Sequence, residues 1–260
     1  MKRQITLTIL ALITTINFSF TKLAPKRDFY QIKVYHLQSD KQVETLDNYL
    51  KNAYIPALHR QGIKHVGVFK PVKTEDNADK LVYVFIPFQS SKEFFQLDAK
   101  LDQDQAYLKA GSDYIDAAHD NVPFTRIETI LINAFEDSPN YKTPNLTSSS
   151  KDRIYELRSY EGPTEKLYKN KVKMFNDGDE IGLFKRLDFN AIFYGEVIAG
   201  SRMPNLMYMT SFENMEARDA HWKTFGGDAY WKELSSKAEY QNNVSKADII
   251  LLHQTDYSDL

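Results

Sequence analysis

The chain contains no cysteine. That absence removes disulfides, thiolate zinc sites, iron–sulfur clusters, cysteine nucleophiles and lipid attachment through sulfur from its chemistry. An excess of charge of one sign is missing too: 33 Lys and Arg face 35 Asp and Glu, a net of −2. No global field exists to hold a nucleic acid or an anionic membrane surface, and neither partner is expected. There is no Gly-rich phosphate loop, GxSxG elbow or dinucleotide fingerprint, so no motif assigns nucleotide binding or acyl transfer. The six histidines, His36, His59, His65, His119, His221 and His253, include no close helical pair with a carboxylate. The acidic stretch Asn176-Asp177-Gly178-Asp179-Glu180 lacks the spacing of a calcium loop. No metal set is read, and no cofactor is expected. What remains is 260 residues, 42% hydrophobic, 26% charged and 13% aromatic. That is an ordinary globular composition, long enough for one or two domains that bury their own cores.

The start of the chain reads as a separate object. Met1-Lys2-Arg3 precedes a mostly apolar run from Ile5 to Phe20, and no acidic residue occurs before Asp28. A short basic start followed by an apolar core is the layout of a secretory signal peptide. The run falls short of the roughly 20 residues that span a bilayer comfortably. The expectation is a signal peptide over residues 1–24, an exported chain (periplasmic or secreted), and no stable membrane span after cleavage.

The rest of the sequence repeats itself. Tyr30-Gln31-Ile32-Lys33-Val34-Tyr35 matches Tyr155-Glu156-Leu157-Arg158-Ser159-Tyr160 at an offset of 125. Phe88 and Phe212 then sit 124 apart, and Ala106-Tyr107-Leu108-Lys109 matches Ala229-Tyr230-Trp231-Lys232 at 123. Preserved order with a slowly drifting offset marks two divergent copies. Residues 136–150, with two prolines and a Ser/Thr/Asn cluster, read as a linker between a first repeat at 28–135 and a second at 151–254. Each copy reads strand, helix, strand, strand, helix, strand.

In the first copy, Asp28–His36 alternates as a strand, and Val43, Leu46, Leu50, Tyr54 and Leu58 form one helical stripe. Ser39 with Gln42 supplies a capping box. Ile63–Lys70 and Leu81–Phe88 are β-rich runs divided by a charged turn. A helical region from Ser90 to His119, broken near Leu101, leads to a strand at Thr125–Phe135. The second copy predicts strands near Arg153–Tyr160, Leu187–Glu196, Leu206–Phe212 and Ala247–His253. The class is α+β: two tandem ferredoxin-like βαββαβ repeats. Each repeat needs a cover for its second sheet face, so the pair is expected to close as a pseudo-dimeric α/β barrel with its helices outside.

Strand alternation assigns faces. Tyr30, Ile32 and Val34 are the greasier set in β-strand one, with Tyr155 and Leu157 beside them, and are assigned to the helices. The barrel interior then receives Glu156, Arg158, Tyr160, Asn190, Tyr194 and Glu196, with Lys33 and His65 from the first copy. Polar groups enclosed between sheets cost roughly 1–3 kcal/mol each when unpaired. This set is therefore the candidate binding site for a small organic ligand. If it is catalytic, Arg158 would hold an anion, Glu156 or Glu196 act as base, and Tyr160 or Tyr194 donate a hydrogen bond. Solvated or packing roles for the same residues are the alternative.

Ile154-Tyr155-Glu156-Leu157-Arg158-Ser159-Tyr160 resembles the opening strand of the NIPSNAP family. Phe193-Tyr194-Gly195-Glu196, Leu206-Met207-Tyr208-Met209, Glu216-Ala217-Arg218 and Ala229-Tyr230-Trp231 occupy the places of its later segments. The resemblance covers about residues 152–253, with copy one a weaker echo. It implies a dimeric α/β-barrel fold and carries no established chemistry. Besides ligand binding, the sequence leaves open a non-catalytic interaction module, haem binding through His65 or His221, a cofactor-poor oxidase or isomerase, and a homodimer.

Overall fold

The computed structural model describes residues 26–72 and 80–260. The signal peptide read at residues 1–24 and positions 73–79 of the charged turn lie outside the described residues. In the first repeat, β1 (Phe29–Leu37) leads into α1 (Asp40–Tyr49). Ser39 caps α1 by accepting from Gln42 N at 3.2 Å, and Gln42 Oε1 returns to accept from Gln38 N at 2.8 Å. α1 passes through a π-helical turn at Leu50–Tyr54 into α2 (Ile55–Arg60). The extra residue of that turn rotates the apolar stripe, so Tyr49, Leu50, Ala53, Tyr54, Ala57 and Leu58 are all buried. β2 (Gly67–Pro71), β3 (Lys80–Phe88), α3 (Ser91–Leu101), α4 (Gln105–Ala110), α5 (Ser112–Ile115) and β4 (Arg126–Ala134) follow. The helical break comes at Leu101, where Asp104 caps α4 by accepting from Tyr107 N at 3.0 Å.

The second repeat runs β5 (Ile154–Glu161), α6 (Glu165–Phe175), α7 (Glu180–Arg186), β6 (Asn190–Ala199), β7 (Asn205–Phe212), α8 (Met215–Gly227), α9 (Ala229–Ser236) and β8 (Lys246–Gln254). Thr164, Asn214 and Asp228 cap α6, α8 and α9 with their side-chain oxygens.

The eight strands form one closed barrel in the order β1-β3-β2-β8-β5-β7-β6-β4. Each repeat supplies four neighbouring antiparallel strands. Both seams join the second strand of one repeat to the fourth strand of the other. The β2–β8 seam is short, from Phe69↔Gln254 to Pro71↔Leu252. The segment after β8 reinforces it: Thr255 N donates to Val68 O at 2.9 Å and Asp259 N to Val66 O at 3.0 Å.

Two kinds of core result, and they correct the face assignment made from the sequence. Tyr30, Ile32 and Val34 point into the barrel with Phe85, Leu157, Phe193, Met207 and Met209. Phe85 and Phe193 stack there at 5.0 Å. The other face of β1, with Phe29 and Tyr35, packs against α1 to α4. The greasiest set is drawn to the narrow interior because that space is walled by strands all round. The helix-covered face tolerates Gln31 and Lys33, whose apolar stems can lie under helices. In β6 a bulge between Ala191 and Phe193 breaks the alternation as well. Phe189 and Ala191 lie on the helix side before it, Ile192 and Phe193 both enter the barrel, and Tyr194 returns to the helix side.

Candidate functional site

Glu156, Arg158 and Tyr160 do come together, but between the barrel wall and the helices of the second repeat. Glu156 is fully buried. Its Oε1 accepts from Arg158 Nε at 2.5 Å, and its Oε2 accepts from Arg218 Nε at 2.6 Å and Trp222 Nε1 at 2.9 Å. Arg158 lies with its guanidinium carbon 3.6 Å from the Trp222 ring centroid and donates through Nη1 to Tyr160 Oη at 2.9 Å. Tyr160 in turn meets the Tyr208 hydroxyl at 2.9 Å. Beneath α6, the Lys171 ammonium donates to Glu180 Oε2 at 2.8 Å. Burial pushes the Glu180 carboxyl above its ordinary range, with Lys171 opposing. Every charge in this group is answered by another member, so it works as a clamp holding α8 to the sheet.

The remaining predicted positions separate from that cluster. Asn190 pins the strap formed by the linker at residues 136–150: its Oδ1 accepts from Asn145 N at 2.9 Å and its Nδ2 donates to Asn145 O at 3.0 Å. Tyr194 is buried among Phe175, Phe184 and Tyr208 on the helix side. Glu196 meets Arg27 at 3.8 Å and accepts from the Tyr168 hydroxyl at 3.5 Å. None of the six lines the barrel interior. Lys33 also faces the helices, its ammonium 5.0 Å from the Tyr54 ring centroid. His65 is at one end of the barrel, with Nδ1 2.7 Å from the Tyr141 hydroxyl.

That end is stopped. Asp28 takes the strap across it, accepting from Asn140 Nδ2 and Tyr141 N, both at 3.1 Å. Tyr141 and Leu260 then pack onto the interior cluster. The opposite end holds a cavity of about 230 Å³. Val34, Leu81, Tyr83, Ile130, Val197, Met207 and Ile250 supply its apolar wall. His36, Glu128, Ser159, Ser201, Arg202 and Asn205 supply its polar groups, drawn from both repeats. His36 Nε2 lies 2.6 Å from Glu128 Oε1. Ser159 and Asn205, both nearly inaccessible, hold each other: Asn205 Nδ2 donates to Ser159 Oγ at 2.9 Å, and Ser159 Oγ donates to Asn205 Oδ1 at 3.2 Å. Arg202 pairs with Asp248 and approaches Glu161 at 3.8 Å on the rim.

Residues 155–259 match the NIPSNAP family model. That segment is similar to NIPSNAP proteins. No curated protein matches the chain. Among solved structures, the chain is similar to a "putative monooxygenase" from Lactobacillus acidophilus NCFM, at 13% identity and a TM-score of 0.55, covering 88% of this chain and 94% of that one. A second protein of that description, from Fusobacterium nucleatum subsp. nucleatum, matches at 8% identity and a TM-score of 0.56, covering 88% and 92%. An "anthrone oxidase-like protein" matches at 10% identity and 0.53, covering 89% and 93%. These identities show a shared fold alone. The alignment spans both repeats, so the whole barrel, and not the NIPSNAP-like segment by itself, corresponds to a neighbour's chain.

The NIPSNAP-like segment contributes Ser159, Arg202 and Asn205 to the mouth, and the first repeat contributes His36 and Glu128. Sequence reasoning missed these five. The signal was present in the alternation itself: His36 continues the Tyr30, Ile32, Val34 set, and Ser159 continues Tyr155 and Leu157. Sending those sets inward would have carried both polar residues to the mouth.

Proposed function

We propose that the protein binds a small organic molecule in the barrel mouth. Its apolar body would lie among Val34, Leu81, Ile130, Met207 and Ile250, and its polar end would meet the rim groups. The observation that supports this is a cavity of about 230 Å³, stopped at its inner end, in which a few polar side chains converge on an apolar wall. A barrel filled along its whole length would have favoured a docking module instead. The basic and apolar layout of residues 1–24 supports export, which would put this ligand outside the cytoplasm.

The test is native mass spectrometry of the chain purified from its own compartment, together with fluorescence titration by 2-naphthol. Ile130→Trp, which fills the cavity, serves as the control. The wild-type chain is expected to retain a small molecule or bind 2-naphthol saturably, and Ile130→Trp to do neither. Equal behaviour of the two chains overturns the assignment.

A further inference from the structure

We propose that His36 is a general base in this mouth, and that the site moves a proton on a carbonyl compound. The proposal rests on the mouth being a ligand site. His36 Nε2 lies 2.6 Å from Glu128 Oε1. An imidazole nitrogen this close to a carboxylate carries the hydrogen, and in the neutral ring this leaves the lone pair on Nδ1. His36 Nδ1 makes no hydrogen bond among the described residues, and His36 lines the cavity. A carboxylate that fixes the tautomer and steadies the imidazolium formed later is the arrangement a histidine base requires.

The second half of the chemistry comes from the other repeat. Asn205 is 3% exposed, and only one hydrogen of its amide nitrogen is used, on Ser159 Oγ at 2.9 Å. The Ser159 hydroxyl holds Asn205 Oδ1 at 3.2 Å, so the amide cannot turn freely. The remaining N–H is a fixed donor in the cavity wall. Such a donor favours an oxygen that gains negative charge during reaction over one that stays neutral.

The step balances without any co-reactant. The C–H bond beside the carbonyl breaks, its proton passes to His36 Nδ1, and the electron pair shifts onto the carbonyl oxygen beside Asn205. The imidazolium then returns the proton to the same carbon or to a conjugated one. Exchange or isomerisation results, with nothing oxidised or reduced. The substrate class is an apolar ketone small enough for the mouth.

The probe is 2-tetralone. Exchange of its C1 hydrogens in deuterium oxide is followed by proton NMR, and its binding is followed separately by saturation transfer. The wild-type chain is expected to accelerate exchange saturably. His36→Gln should lower that rate at least about 100-fold while the ketone still binds, and Asn205→Leu about 100-fold or more. Glu128→Gln, which leaves the imidazole in place, should lower the rate without altering the half-saturating concentration. It decides the matter should His36→Gln fail to fold. Bound ketone with exchange at the buffer rate, or a rate unchanged by these substitutions, overturns the base and leaves the binding site standing. A wild-type chain that binds 2-naphthol but not 2-tetralone overturns the ketone class. A chain that binds neither overturns both readings.

Discussion

Replacing Glu156 with Gln tests whether the buried clamp of the second repeat holds the fold or serves a ligand. The substitution keeps the shape of the side chain and removes its charge, so no cavity complicates the result. Three donors lose their anionic acceptor: Arg158 Nε at 2.5 Å, Arg218 Nε at 2.6 Å and Trp222 Nε1 at 2.9 Å. The two guanidiniums respond differently. Arg218 has a side chain 19% exposed and keeps Asp219 at 2.9 Å, so water and that carboxylate compensate it. The Arg158 side chain is 12% exposed, lies under Trp222, and has no second carboxylate in contact among the described residues. Leaving one such charge unanswered costs about 3–5 kcal/mol. At roughly 2–4 °C per kcal/mol for a chain of this size, the lower end of that range lowers Tm by about 6–12 °C. Arg218→Ala should cost much less, about 1 kcal/mol, because its partner keeps Arg158. Thermal and urea unfolding followed by circular dichroism measure both, and 2-naphthol binding at 20 °C below the variant's midpoint measures the site. An unchanged Tm with lost binding would refute the reasoning, since it would mean that the clamp faces the ligand.

Lys171→Met should destabilise by about 3–5 kcal/mol, while Lys171→Met with Glu180→Leu should recover most of that loss in urea unfolding. In the single variant the Glu180 carboxyl is raised further above 4.5, so the folded state holds its proton where the unfolded state has lost it. The penalty is therefore absent below pH 4.5 and grows as pH rises, and a pH series of urea midpoints reads its sign. Gly195→Val should destabilise by at least about 1–3 kcal/mol in the same assay. A Cβ at Gly195 falls 2.4 Å from Ile132 Cγ2 and 2.5 Å from Asn133 O. Gly226→Ala, with nothing within 4 Å, should be neutral by comparison. Hydrogen bonds from Ser148 and Thr147 hold Glu213 down to about 2 against an ordinary 4.5. The anchorage they give the strap is thus complete above pH 4.5 and lost as pH falls towards 2, seen as lower amide-exchange protection factors at Thr147 and Ser148.

The repeat, its element order and the barrel were legible because periodicity reports local structure, and two copies report it twice. Ser39 capping α1 and the break at Leu101 came out where the residues place them. The faces did not. β1 is buried on both sides, so comparing Tyr30, Ile32 and Val34 with Phe29 and Tyr35 could not say which set meets helices and which meets another sheet. Once β1 was reversed, the same error carried Glu156, Arg158 and Tyr160 inward and left His36 and Ser159 unread. In β6 the bulge adds a second reversal, which no alternation rule registers from composition alone. That Glu156, Arg158 and Tyr160 share one strand face was visible as i, i+2, i+4 spacing. Their partners Arg218 and Trp222, some 60 positions away, were not.

The two seams set the order in which this molecule can assemble. Neither repeat has a sheet without free edges until it meets the other, and the last contact in sequence is also among the most distant: Phe69 pairs with Gln254. Closing so long a stretch of chain for so few strand pairs is entropically unfavourable until the rest of the wall is in place. The β2–β8 seam therefore zips late, after the repeats have built their own strands and the strap has brought them together. Until then β2 and β8 each present an unpaired edge. The segment from Thr255 to Leu260, laid along Val66 and Val68, fastens the seam once it has formed.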